Sequence, residues 1–478
     1  MFPLTLATLA ACLLFGGGAA RGLPSDHVPQ LAALPLLFVA LRALPAGAWL
    51  AGPAVVALAA LVLVAWQLAP LPPAVWAVLP GREPLGAALA AAEEAAPWLP
   101  FAMRPDEAAR ALLAMLPPAA LALACLQLDL ARRVWLVVAI LAFAGLNAVV
   151  GFLQVIGLGG AFYFYAFTNP GRSVGFFANV NHTAACLYVA IPLAGAFFAD
   201  SRFREPAPGW ALLAGFVTFL ILGLSISGSR SALVLGVLAT ASLAFVMRDY
   251  LTQLRMSRGA KWLTLGAGAL LVAPVALGLG LSRIFTRFDA QDVLEDARWA
   301  LLPTAWRTLS SAFPLGVGAG GFETLFQLHE TASDLNNPVV NHAHNDWLEL
   351  AIEMGAPGLA LAVCAVVWVV ARTWRAGRAP EDAQTRFARA AGLVILLLAV
   401  HSLWDYPLRT IALASVLAIC AALLTPAPSS RRPLRLNLLS GAAEPGRSRG
   451  RRRRRRISRP PSAQVAEGAP AVLRTGQA

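Results

Sequence analysis

The sequence predicts an all-α polytopic membrane protein with about 12 transmembrane helices, and three observations carry that prediction. Of 478 residues, 58% are hydrophobic and only 13% charged, with a mean hydropathy of +0.66. A soluble domain runs at about 45–50% apolar and about 25% charged, so a water-soluble globule cannot hide this much apolar surface. The apolar residues also fall into runs close to the roughly 20 residues that a helix needs to cross a bilayer. Finally, the basic residues divide unevenly between alternate loops, as membrane topology requires.

The runs lie at about 4–20, 29–45, 50–69, 110–127, 134–157, 183–199, 209–226, 231–247, 262–281, 347–371, 389–404 and 408–425. The first has no basic residue before it, since Arg21 is the first Lys or Arg, and Ala19-Ala20 is only a weak cleavage-like site. A retained first span is therefore expected rather than a cleaved signal. Threading the chain with its C-terminus in the cytoplasm puts Arg42, the Arg132-Arg133 pair, Arg202, Arg204, the Arg248–Lys261 group and the Arg372–Arg389 group on the cytoplasmic side. With the tail, that side holds 27 of the 38 Lys and Arg residues and the other side 11. Both termini are expected in the cytoplasm.

Two long segments remain outside. Residues 70–109 carry Glu83, Glu93, Glu94, Asp106 and Glu107 among several prolines. Residues 282–346 form the larger loop and hold the richest polar cluster in the chain. Within it Trp299, Leu302, Trp306, Leu309 and Phe313 recur at helical spacing, and Pro303 is expected to kink that helix or start a new one. An amphipathic helix with two Trp suits a membrane interface. The net charge of +13 is concentrated in the tail, where 13 Lys and Arg lie between Arg431 and Arg474. It marks a basic, Pro- and Ser-rich tail expected to be disordered, not a nucleic-acid surface. The expected organisation is N-terminal transmembrane helices over 1–130, a core over 131–428 that includes the loop 282–346, and the tail 429–478. Cys12, Cys125, Cys186, Cys364 and Cys420 all sit in apolar runs without metal or disulfide spacing and read as small buried apolar residues.

The residues able to do chemistry gather on the non-cytoplasmic side. Asn341-His342-Ala343-His344-Asn345-Asp346-Trp347 stands just before the tenth span, followed after nine residues by Gly355-Ala356-Pro357-Gly358. His344 is either a satisfied interfacial histidine or a proton acceptor, since imidazole titrates near neutral pH. His342 and His344 form an H-x-H, but no third ligand stands at a recognisable spacing, so no metal is expected. Arg230, in the hairpin Ser227-Gly228-Ser229-Arg230, needs an anionic partner there. That partner is a carboxylate of the protein or a phosphate of a ligand. Arg172, in Gly171-Arg172-Ser173, is an interface arginine or a second such ligand. Glu349 and Glu353 lie one turn apart in the tenth span and want a cation, Arg230 or another inward-facing arginine. Gly316-Val317-Gly318-Ala319-Gly320-Gly321 satisfies G-x-G-x-x-G but lacks the βαβ context of a dinucleotide site. It reads instead as flexible backbone for packing the large loop over a substrate. His401 to Arg409 form the last outer turn, read as an aromatic anchor with an Asp405–Arg409 pair or a share of the substrate mouth.

The pattern His344-Asn345, nine residues, Gly355, two residues, Gly358 resembles the signature of the O-antigen ligase and O-antigen polymerase superfamily of bacterial envelope glycosyltransferases. Three further segments resemble the same family: Gly228-Ser229-Arg230, the stretch Gly171 to His182 with Arg172 and Asn181, and Arg298 followed by Pro314-Leu315-Gly316-Val317-Gly318. The likeness covers roughly residues 170–375. It implies a C-type glycosyltransferase-like fold with a large periplasmic loop, in the bacterial inner membrane. It further implies transfer of a glycan from an undecaprenyl diphosphate donor to a sugar hydroxyl, on lipid A-core, another glycan or a protein, in O-antigen or surface polysaccharide assembly. Under that resemblance His344 is the base or a diphosphate ligand and Arg230 the main diphosphate clamp. Arg172, Arg298, Asn345 and Asn181 bind substrate, with no nucleotide, metal or other cofactor. The rival is a multi-span transporter or lipid-linked glycan flippase, which should show internal repeats and polar helix breaks near the membrane midplane. No such repeat is visible.

Overall fold

The computed structural model describes residues 1–19, 22–158, 160, 162–200, 208–253, 293–331 and 340–429. The chain divides into Met1–Leu434 and Arg435–Ala478, and the second unit lies outside the described residues, as does the expected disorder of the tail. Helices occupy eleven of the twelve apolar runs, and the run 262–281 also lies outside. In chain order these are α1 (Phe2–Phe15), α2 (His27–Ala43), α3 (Gly52–Trp66), the short α4 (Pro73–Trp76) and α5 (Glu83–Ala91), α6 (Pro105–Leu126), α7 (Leu130–Leu153), α8 (Val180–Phe198), α9 (Pro208–Ser227) and α10 (Arg230–Val246). There follow α11 (Arg248–Gln253), α12 (Val293–Ala312), α13 (Phe322–His329), α14 (Asp346–Arg378), α15 (Ala383–His401) and α16 (Ile411–Leu423). Among them α6, α7, α8, α14 and α15 are long and apolar enough to cross a membrane, and α1, α3, α16 and much of α9 and α10 are shorter apolar helices.

The helix α8 is apolar all round and buried on nearly every residue, with α7, α9, α10 and α15 packed about it. That is the pattern expected of a central helix. Small residues set the spacing: a Cβ on Gly223 of α9 would lie 2.9 Å from Leu187 of α8, and one on Gly392 of α15 would lie 1.9 Å from Thr373 of α14. Close approach of this kind is how helices associate where lipid removes the hydrophobic drive. The other pivot is α6, packed against α2, α3 and α16.

The two ends of the bundle differ in chemistry. At one end, arginines close the ends of helices. Arg133 is fully buried and donates to the carbonyls of Cys125, Leu126, Leu128, Ala422 and Thr425. Arg372 donates to Leu424, while Arg389 donates to Ala376 and Asp249. Burial and the hydrogen bond to Asp249 raise the carboxyl of Glu381 there, and that bond, with Arg389 and Arg248, holds Asp249 below the ordinary carboxylate range. At the opposite end α1 stops where α16 starts, joined by Ala412 N–H to the Gly16 carbonyl at 3.0 Å.

The outer segments pack on each other at that second end. The segment 70–109 is closed by a two-residue antiparallel pair, Pro70 opposite Pro100 and Leu71 opposite Leu99, the one strand pairing among the described residues. Arg82 donates to the carbonyls of Pro100, Phe101 and Ala102. Met103 N–H reaches the Val317 carbonyl at 2.8 Å, which ties this segment to the large loop. One helix, α12, runs through Pro303 rather than ending there. Ala305, Thr308 and Ala312 face inward, and Leu302, Trp306 and Phe313 are left exposed. Burial of the cysteines holds for four, but Cys364 is exposed on the outer side of α14. Beyond its first turns that helix turns Val363, Val367 and Val370 outward too, an apolar face suited to lipid.

Candidate functional site

The site is built around the N-terminal end of α14. Asn345 is its N-cap: the side-chain carbonyl accepts from Leu348 N–H at 3.0 Å, and the side-chain amide donates to the Leu403 carbonyl at 2.8 Å. Both ends of the Asn345 amide are thus engaged within the protein. Immediately before it, His344 takes a left-handed backbone with φ of 48°, a conformation uncommon for a residue with a side chain. This turn directs its Nδ1 toward Asp405 Oδ1 at 3.8 Å, with the imidazole 23% exposed and the carboxylate fully buried. Tyr406 lies in the middle of a ring cluster: His342 stacks on it at 4.4 Å, while His344 and His182 meet it edge-on, each at 5.1 Å.

Below this turn, one face of α14 carries Asp346, Glu349 and Glu353, and all three converge on Arg409. The distances are 3.3 Å to Asp346, 3.4 Å to Glu349 and 2.8 Å to Glu353. Burial alone pushes the Arg409 guanidinium down, yet the charges of Glu349, Glu353 and Asp346 together hold it above its ordinary range. Glu349 also faces His342 Nδ1 at 2.9 Å and accepts from Ala343 N–H at 3.0 Å. Among the described residues, the cation on Glu349 and Glu353 is therefore Arg409 rather than Arg230. The expected Asp405–Arg409 pair is replaced, because Arg409 turns down onto the acidic face of α14. Asp346 fastens the last turn, accepting from Ser402 Oγ at 2.8 Å and donating its own N–H to the Ser402 carbonyl at 2.9 Å.

The glycines of the signature have a mechanical role. Gly355 interrupts α14 at φ 61°, ψ −157°, a conformation essentially restricted to glycine. The break exposes backbone groups that Pro314–Gly321 takes up. Val317 N–H donates to the Ile352 carbonyl at 3.1 Å, Gly318 N–H to the Glu353 carbonyl at 2.8 Å, and Ala356 N–H to the Pro314 carbonyl at 2.8 Å. Gly320 N–H reaches Glu353 Oε1 at 2.9 Å. The G-x-G-x-x-G segment is thus a strap fixed across the helix break.

The remaining residues singled out from sequence stand on the same end of the bundle. Arg230 begins α10 and is exposed. Its neighbour Ser229 donates from Oγ to Asn181 Oδ1 at 2.7 Å, and Asn181 starts α8 one residue before His182. Arg172 is half-buried in a loop pinned by Tyr163 OH on the Arg172 carbonyl at 3.0 Å and by Gln154 Oε1 accepting from Val174 and Gly175 N–H. Arg298 lies on α12, but its side chain is outside the described residues. The structure thus joins Arg230 to His344 through Ser229, Asn181, His182 and Tyr406. Sequence reasoning put Asp405, Tyr406 and Arg409 in an anchoring turn or a share of the substrate mouth, but did not identify Asp405 or Tyr406 as neighbours of His344. The available signal was the density of polar and aromatic side chains in nine residues between two apolar runs.

Residues 214–363 match the family model described as O-antigen ligase. That stretch is about a third of the chain and contains Arg230, Arg298, His344 and Asn345. A comparison with curated proteins finds no match.

Proposed function

We propose, from the likeness of residues 214–363 to the O-antigen ligase family, that this chain transfers a glycan from undecaprenyl diphosphate to a sugar hydroxyl on the periplasmic face of the inner membrane. The observation that carries the reading is the partly exposed imidazole of His344 set against the buried carboxylate of Asp405. A partly exposed imidazole backed by a buried anion is suited to accept a proton, because the carboxylate stabilises the imidazolium that forms. The Nδ1 faces Asp405, so Nε2 serves the substrate.

In the transfer the acceptor oxygen bonds to the anomeric carbon and loses its proton to His344 Nε2. The anomeric carbon–oxygen bond to the diphosphate breaks, and the electron pair leaves with the lipid diphosphate. Arg230, exposed at the start of α10, meets that growing charge, with Arg172 and Arg298 as further cations. Asn345 holds His344 in its turn, and Asn181 with Ser229 sets the hairpin that carries Arg230. The leaving group is already activated, so the chemistry requires neither nucleotide nor metal. A cavity of about 340 Å³ between α3, α6, α14, α15 and α16 is lined by alanines, valines and Trp368 and ends at Asp346 and Ser402. Such apolar space beside a polar cluster supports a lipid-borne substrate. The polar residues gather at one end of the bundle, which favours this reading over a transporter.

The test is transfer in liposomes from undecaprenyl diphosphate-linked glycan, with EDTA present, offered lipid A-core or a second lipid-linked glycan as acceptor. Release of undecaprenyl diphosphate with a lengthened acceptor is the expected result, and the productive acceptor distinguishes ligase from polymerase. Movement of intact donor across the bilayer without transfer would replace the reading with a flippase.

A further inference from the structure

Behind Asp405 lies a second imidazole, which the transfer chemistry described above does not use. His401 is the last residue of α15, one helical turn before Asp405, and its Nε2 faces Asp405 Oδ2 at 3.8 Å. The other ring nitrogen, Nδ1, meets the hydroxyl of Tyr188 on α8 at 2.9 Å. His401, Asp405 and Tyr188 are all fully buried. One carboxylate is therefore flanked by two imidazoles at equal separation, His344 on Oδ1 and His401 on Oδ2. Tyr406 N–H also donates to Oδ1, at 2.9 Å.

The hydrogen positions follow from electrostatics. With the proton on Nδ1, the Nε2 lone pair of His401 would point at a buried carboxylate, which is repulsive at low dielectric. With the proton on Nε2, an N–H dipole points at Oδ2 and Nδ1 becomes the acceptor for Tyr188 O–H. A Tyr188 O–H that donates to Nδ1 leaves the His401 N–H on Nε2, aimed at Asp405. In this form the His401 N–H orients Oδ2 of Asp405 while Oδ1 faces His344. The separations of 3.8 Å exceed a direct hydrogen bond, so the coupling is that of a dipole and a charge.

We propose that His401, held by Tyr188, is a positioning residue for glycan transfer, fixing Asp405 so that its charge faces His344. The proposal rests on the reading of His344 as the base. Among the described residues, the titratable groups facing the Asp405–His401 pair are Tyr188 and His182 from α8, His342 and His344 from the lead-in to α14, and Tyr406. Asp346 adjoins the pair through its N–H, which reaches the Asp405 carbonyl at 3.3 Å, and its carboxylate holds Arg409.

The experiment measures kcat, donor KM and the pH profile in the liposome assay for wild type, His401→Gln, His401→Leu, Tyr188→Phe and His344→Ala. The Gln amide nitrogen stands near the Nε2 position and still offers an N–H to Asp405, whereas Leu offers none. The expected order of kcat is wild type, then His401→Gln, then His401→Leu. The last should be reduced about tenfold or more, within the ~10²–10⁴-fold that a general base contributes. Donor KM should hold. The acid limb of the kcat profile should move to lower pH in His401→Leu, because the His344 imidazolium loses its oriented counter-charge. Tyr188→Phe keeps the packing and should show the same displacement to a smaller extent, so it carries the test if His401→Leu does not insert. An equal loss in the Gln and Leu variants with an unmoved limb would reduce His401 to packing and overturn the proposal. Wild-type profiles in all three, beside an inactive His344→Ala, would overturn it alone. Wild-type turnover by His344→Ala would remove the underlying reading and the proposal together.

Discussion

At the scale of single residues, His344 combines an uncommon backbone with a buried counter-ion, and the two are linked. The left-handed turn at φ 48° brings Nδ1 to Asp405 while Asn345 caps α14. His344→Ala should lower transfer by about 10²–10⁴-fold while leaving insertion and binding of the lipid-linked donor intact. Binding is checked by retention of labelled donor on the purified variant. Arg230→Lys keeps a charge but loses the planar fork, so donor binding and rate should both weaken, though less than in Arg230→Ala. A different residue predicts pH dependence of stability. Burial raises the Asp26 carboxyl, before α2, from its ordinary value of 3.8 to about 6. The folded protein then holds more protons than the unfolded chain between those values, so this group makes stability fall as pH rises from about 4 to about 6. Asp26→Asn should match wild type in thermal unfolding below pH 4 and exceed it above pH 6. His344 and Asn345 were legible in the sequence because their motif spans fifteen residues along one helix. The partner of Glu353 was not, because Arg409 lies 56 residues away and only the folded turn brings it back.

Among the elements, α14 is the one whose interruption matters most. The strap Pro314–Gly321 stays on it only because Gly355 leaves the helical path and Gly316 lies flat against the break. A Cβ at position 355 would sit 2.3 Å from the Pro314 carbonyl oxygen, and one at position 316 would sit 2.6 Å from the Glu353 carbonyl oxygen. Gly355→Ala is expected to cost at least the ~1–3 kcal/mol of a strained backbone, with steric displacement of the strap in addition. Protease accessibility near Gly318 should rise in that variant while α15 and α16 stay protected. Helix positions were readable because apolar runs of bilayer length leave little choice of structure. The course of α12 through Pro303 was not readable from the proline alone. Removing one backbone donor is tolerated when the rest of the helix packs, here through Ala305, Thr308 and Ala312 against the core around Phe322 and Ile352.

For the whole molecule, the division of charge in the sequence reappears as a division between the ends of the bundle. The loops with Arg132, Arg133, Arg372 and Arg389 share one end, and the histidines, Asp405 and Arg230 share the other. We expect the arginine end in the cytoplasm. Reporter fusions after Leu424 should read as cytoplasmic and insertions after Glu330 as periplasmic, and two reporters on one side would contradict the arrangement. The tail, with six successive arginines from Arg451 to Arg456, is expected to cling to the anionic leaflet at about 1 kcal/mol per arginine. A chain ending at Pro428 should insert and keep transfer activity, measured in the same liposomes. Convergence of distant segments on one end followed from topology in the sequence, whereas the choice of Asp405 as the partner of His344 required the packing of α15 against α8.

Arg133 adds a consequence in the order of synthesis. Its carbonyl partners at Cys125, Leu126 and Leu128 emerge from the ribosome beside it, but Ala422 and Thr425 follow 289 and 292 residues later. Throughout translation of the intervening helices, a permanent charge waits at the bundle end with its shell of acceptors incomplete. Arrival of α16 closes that shell and brings Ala412 to Gly16, so the last of the described helices latches onto both α7 and the end of α1. Nascent chains arrested before Ile411 would carry the open latch, with Arg133 short of its Ala422 and Thr425 acceptors and Gly16 short of Ala412.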